Sequence, residues 1–180
     1  MKLYVDLNSP YAYLALERAA SVLGEAPEVE PILLGALFER RGWGSWAHTD
    51  QRADRLAELD ARAARYGLPP LVYPGGWPLD GLTTMRAATW AKQQGRAEAF
   101  CRAVMRRQFA DGVDGSGIDE LEAIADGVGL DGVRAAVADP AVKAALREAT
   151  EAAWDAGVRG IPTLRTGERL LFGDDQLEAA

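Results

Sequence analysis

Cys101 is the only cysteine and His48 the only histidine in 180 residues. A single cysteine allows neither an intrachain disulfide nor a C-x-x-C pair, so dithiol exchange is excluded. The scarcity of both residue types removes most metal-site and catalytic-triad arrangements, and no metal is expected. Basic residues are also short, with 20 Lys and Arg against 27 Asp and Glu and a net charge of −7. That balance argues against a nucleic-acid partner, which needs a cationic surface to displace counterions. No apolar run reaches membrane-spanning length, and the start has no long apolar segment of the signal-peptide kind. No membrane partner is therefore expected, and the cytoplasm is the expected compartment.

The chain is well supplied with core material, being 48% hydrophobic and 26% charged. This suits one globular domain, or one domain carrying a large insertion. Lys2-Leu3-Tyr4-Val5-Asp6-Leu7 reads as a mostly buried strand. Ser9-Pro10 is a helix entry, with a hydroxyl N-cap and proline at the first helical position, and Tyr11 to Leu23 continues as helix. Ser9 thus sits where free N–H groups and the positive end of a helix dipole converge, a place that stabilises an anion.

A second apolar run, Val29 to Leu34, reads as a parallel strand of a β-α-β unit. Helical spacing follows at Arg52 to Tyr66, Thr83 to Gln94, Arg96 to Phe109 and Asp119 to Val128, with Phe100, Val104, Met105 and Phe109 as the clearest apolar stripe. Asp119 with Glu122 resembles a capping box. Asp139-Pro140 repeats the cap-plus-proline signature before a long helix, and Thr163 to Phe172 reads as a hairpin around Thr166-Gly167-Glu168. The expected fold class is α/β: a small core, residues 1–36 and 137–180, split by an all-helical insertion, residues 37–136.

Four blocks then carry a family resemblance. They are Asp6 to Ala15, Pro31 to Phe38, Gly157 to Thr163 and Phe172 to Leu177. In that order they resemble the 2-hydroxychromene-2-carboxylate isomerase family and its relatives, the kappa-class glutathione transferases, which share a DsbA-like thioredoxin fold with a helical insertion. The resemblance implies that the Ser9 hydroxyl donates to the sulfur of a bound thiol. It implies that Pro162 is cis, and that the Ile161 backbone pairs with the thiol's cysteinyl backbone as an added strand. It also implies that Gly173, Asp174 and Asp175 hold the γ-glutamyl end, through N–H groups for its carboxylate and an aspartate for its ammonium. The cofactor the resemblance implies is glutathione; because the segment Gly42 to Trp46, Gln51 to Arg55 and Gln176 depart from the family pattern, the expectation is glutathione or another low-molecular-weight thiol.

On this reading the chain is a thiol-dependent isomerase acting on an aromatic or unsaturated acid. A kappa-type glutathione transferase and a non-catalytic thioredoxin-fold binding protein are the alternatives, and the family leaves room for a homodimer. Tyr11, Trp43, Trp46 and His48 are the candidates for the substrate pocket, the two tryptophans because they lie on a glycine-rich loop. Plainer roles stand beside these: Ser9 as an N-cap only, Asp174-Asp175 as caps of a last helix, His48 as a solvated loop residue, and Trp90 and Cys101 as core.

Overall fold

The computed structural model describes residues 1–180. Strand β1 (Lys2–Val5) leads through helix α1 (Pro10–Leu23) to β2 (Glu28–Pro31), which runs parallel to it with Leu3 opposite Val29. Seven further helices follow: α2 (Leu34–Arg41), α3 (Arg52–Arg65), α4 (Leu82–Gln93), α5 (Ala97–Phe109), α6 (Ile118–Gly127), α7 (Val133–Ala136) and α8 (Pro140–Asp155). Strands β3 (Thr163–Thr166) and β4 (Arg169–Phe172) form the closing hairpin, and β3 lies antiparallel on β1 with Leu3 opposite Leu164. The sheet order is β2-β1-β3-β4. The fold is thus the expected α/β arrangement with a helical insertion.

Local chemistry explains most element boundaries. The Ser9 Oγ accepts from the N–H of Ala12 at 3.3 Å, and Gly24 in a left-handed conformation (φ 76°) ends α1. Asp139 caps α8 in the same way, accepting from Ala141 N–H at 2.8 Å ahead of Pro140. On α5 the residues Phe100, Val104, Met105 and Phe109 are fully buried, as their spacing predicts. Helices α4 and α5 pack directly on β2, so the inserted residues share one apolar core with the sheet.

Three boundaries differ from the sequence reading. Strand β2 stops at Pro31, and Leu34 opens α2, a helix the apolar run conceals. The N-cap residue Leu33 has no capping side chain; the buried Asp6 carboxylate, 28 residues earlier, accepts the Leu34 N–H at 2.8 Å instead. Asp119 and Glu122 do not form a capping box. Gly117 precedes α6, and both carboxylates pair with Arg134 on α7. The short α7 itself has no clear signal in the sequence. Residues Asp174–Ala179 form a 3-10 turn rather than the start of an α-helix.

Candidate active site

A cleft of about 790 Å³ opens where β1 meets α1. Its lining comes from the Asp6–Tyr11 turn, α2, the Trp43–Thr49 segment, α3, residues 77–82, the 159–162 loop and the 172–175 turn. Sheet and insertion therefore each contribute walls.

Ser9 lies in this lining and is nearly buried. Its oxygen accepts the Ala12 N–H, and its O–H proton has no acceptor in the chain, so one donor is left facing the cleft at a helix start. Asp6 holds this turn: its two carboxylate oxygens accept from Asn8 N–H at 3.0 Å and Leu34 N–H at 2.8 Å. Burial pushes the Asp6 carboxyl above its ordinary value, while these N–H donors pull it down. Asn8 clamps the neighbouring wall, donating to Leu79 O at 2.6 Å and accepting from Leu79 N–H at 3.2 Å.

The Ile161–Pro162 peptide is cis, as is Trp77–Pro78, which the sequence reading did not anticipate. Ile161 is nearly buried, and neither its N–H nor its C=O is hydrogen-bonded within the chain. Buried backbone groups are nearly always paired, so this residue presents an unmet donor and acceptor to the cleft.

The Gly173–Asp175 turn differs from what the resemblance implies. The Gly173 N–H already donates to Pro162 O at 3.0 Å, and its φ of 114° suits only glycine. Asp174 is completely buried, and its side chain is occupied: Arg62 donates to one oxygen at 2.7 Å and Tyr66 to the other at 2.8 Å. Arg18 of α1 donates to the Asp174 carbonyl at 3.2 Å, stacks on Tyr66 at 3.4 Å and pairs with Glu178. Arg62 also binds Glu58, at 2.7 and 3.1 Å, and lies 3.6 Å from Asp175. This crowd of carboxylates holds the guanidinium pKa well above its usual value. Asp174 therefore locks the chain end to α3, and of the two aspartates only Asp175 keeps a half-exposed carboxylate toward the cleft.

The aromatic wall is larger than the sequence reading supposes. Tyr11 meets Trp46 edge-on at 6.2 Å, and Trp46 meets Trp77 at 5.6 Å. Trp77 is mostly buried yet lines the cleft, and Arg52 joins it to the Trp46–His48 turn through the carbonyls of Ala47 (2.9 Å) and Trp77 (3.3 Å). Trp43 stands at the mouth, 54% exposed. His48 is brought nowhere near the chemistry: it is exposed and outside the cleft lining, because the one-turn helix that carries it faces Trp46 inward. Trp90 and Cys101 are core, and burial pushes the Cys101 thiol far up, so the chain's only sulfhydryl is inert. Asp6, Asn8 and Arg62 were missed as site residues. A buried-strand aspartate directly before Leu-Asn-Ser-Pro was the one local hint.

A β-α-β unit and a hairpin in one mixed sheet, with a capped helix start and a cis-proline loop lining the same cleft, define a thioredoxin-type fold whose helix start carries serine instead of a dithiol. The chain belongs to the DSBA-like thioredoxin domain family, whose description matches residues 1–180. It is 29% identical to the 2-hydroxychromene-2-carboxylate isomerase of Sphingobium xenophagum, over 97% of this chain and 92% of that protein. Among solved structures, a 2-hydroxychromene-2-carboxylate isomerase superposes with a TM-score of 0.85 at 24% identity, covering 98% of this chain and 89% of that one. A probable DsbA oxidoreductase of Streptomyces coelicolor gives 0.71 at 24% identity, covering 99% and 86%. No helix is long and apolar enough to cross a membrane.

Proposed function

We propose that the chain is a thiol-dependent isomerase of the 2-hydroxychromene-2-carboxylate isomerase type, with glutathione or a related small thiol as cofactor and an aromatic or conjugated acid as substrate. The observation that carries this reading is the pairing, in one cleft, of an unspent Ser9 hydroxyl at a helix start with the unpaired backbone of Ile161. A helix start stabilises a thiolate, and an unpaired N–H and C=O accept an extended peptide edge. The chain has no reactive cysteine of its own, so the sulfur has to come from a ligand. Similarity to the Sphingobium isomerase supports the reaction class.

A bound thiol would supply a nucleophilic sulfur that adds to an unsaturated carbon and is later expelled, so that the former double bond is a rotatable single bond in between. Ser9 O–H donates toward that sulfur and lowers its pKa, with help from the α1 dipole. The Ile161 backbone fixes the cysteinyl unit, and Asp175 is the carboxylate left to meet an ammonium. Trp46 and Trp77 supply the flat apolar wall that excludes water from the reacting bond.

Calorimetric titration with glutathione, on wild type and Ser9→Ala, tests this reading. Wild type is expected to bind at one site, and the variant to bind more weakly. Failure of wild type to bind any small thiol sinks it. Mass spectrometry of products separates isomerase from transferase: an isomer of unchanged mass is expected, and an accumulating thiol adduct would favour the kappa-type reaction.

A further inference from the structure

A smaller hollow of about 230 Å³ adjoins the main cleft and shares Trp43, Arg159, Gly160 and Phe172 with it. Arg41 and Thr163 complete its polar lining, and no carboxylate lines it. Neither Arg41 nor Arg159 has a carboxylate oxygen within 4.0 Å, although the chain as a whole carries a net charge of −7.

Both guanidiniums are held in place without being neutralised. Arg41 lies over the Trp43 ring, 3.3 Å from its centroid, and one nitrogen donates to Arg159 O at 3.3 Å. Arg159 stacks on Trp154 at 3.9 Å, with one nitrogen donating to Trp154 O at 2.5 Å and Val158 O at 3.0 Å. A guanidinium has five N–H donors on three nitrogens, and each of these two uses a single nitrogen. Ring faces are available beside them, since Trp43 is 54% and Phe172 64% exposed. Gly160 makes room for the second ring: a Cβ there would stand 2.5 Å from Phe172.

We propose that this corner binds the carboxylate of a flat, conjugated acid, the guanidiniums taking the carboxylate and Trp43 and Phe172 the ring. Arg41 and Arg159 are then specificity-determining residues, a role that rests on the proposed thiol-dependent reaction for the identity of the acid as substrate. The plainer role is that they neutralise helix ends, Arg41 at α2 and Arg159 just beyond α8. That role predicts lost stability on substitution and no ligand preference.

The test uses salicylate and its neutral counterpart salicylamide, titrated into the whole chain without thiol. The indole N–H resonance of Trp43, assigned through Trp43→Phe, reports the place of binding. Salicylate is expected to shift that resonance and to bind roughly tenfold more tightly than the amide. The preference is expected to fall toward unity in Arg41→Gln/Arg159→Gln while the urea midpoint stays near wild type. Each single substitution, expected to lose part of the preference, serves if the double variant does not fold. Equal affinity for the two probes overturns the proposal, as does a preference that survives the substitutions. Displacement of salicylate by saturating glutathione also overturns it, since the seat would then belong to the thiol's own carboxylate. The readout needs neither thiol nor turnover, so failure of the thiol reading would show separately, as absent glutathione binding with the acid preference intact.

Discussion

Two corners of the same cleft treat charge in opposite ways. At the Asp174 corner the buried charge is fully engaged, and only the neighbouring Asp175 stays half-exposed: the Asp174 carboxylate meets Arg62 and Tyr66, and Arg62 is shared with Glu58. At the Arg41–Arg159 corner two guanidiniums are fixed by ring faces and carbonyl oxygens and remain unneutralised. The first arrangement has little left to offer a ligand and much to lose if broken, because a buried charge without its partner is costly. The second has donors to spare and little folding energy invested in them. The difference separates a lock between Asp174 and α3 from a recognition surface in the hollow that adjoins the cleft.

The comparison breaks most visibly at Asp174. Asp174→Ala leaves Tyr66 without an acceptor and Arg62 with only Glu58 and Asp175, and is expected to cost about 2–3 kcal/mol in urea unfolding. Arg159→Gln is expected to move the same midpoint by less than about 0.5 kcal/mol. Comparable losses at the two positions would erase the distinction. Ser9→Ala stands between them: loss of the α1 cap is expected to cost about 1 kcal/mol of stability, apart from any effect on thiol binding.

Much of the first corner's neighbourhood was legible in the sequence, and the corner itself was not. Ser9-Pro10 and Asp139-Pro140 announce their helices because a cap and its helix are adjacent, so local chemistry decides the outcome. The partners of Asp174 are 108 and 112 residues away, just beyond α3 and at its end, and nothing at Asp174-Asp175 distinguishes a spent carboxylate from a free one. The same distance hid α2. Val29 to Leu34 reads as one strand until Asp6 is seen to cap Leu34 from across the sheet. Trp43 and Trp46 were visible as pocket residues from their glycine-rich setting, whereas His48 was misjudged because exposure depends on how a one-turn helix is rotated.

Asp6 offers a pH probe of the turn that carries Ser9. Burial raises its carboxyl above 3.8, so folding favours its neutral form. Its contribution is complete below the unfolded value and is lost as pH rises through the folded one. Wild type should therefore gain on Asp6→Asn as pH falls from neutral toward 4, measured by urea unfolding at each pH; wild type gaining on the variant as pH rises would contradict this. A small effect on stability is also expected at Gly160→Ala. The clashing Phe172 ring is exposed and can swing away, so the stability cost should stay below about 1 kcal/mol, while salicylate affinity at the arginine corner falls with the displaced ring.

The central claim is that Ser9, at the start of α1, holds the sulfur of a borrowed thiol as its thiolate. Following the ultraviolet thiolate absorbance of bound glutathione against pH, in wild type and in Ser9→Ala, tests it most directly. The account predicts a titration midpoint below that of free glutathione in wild type, shifted upward in the variant. Coincident midpoints in the two proteins, or a wild-type midpoint equal to that of the free thiol, would contradict it.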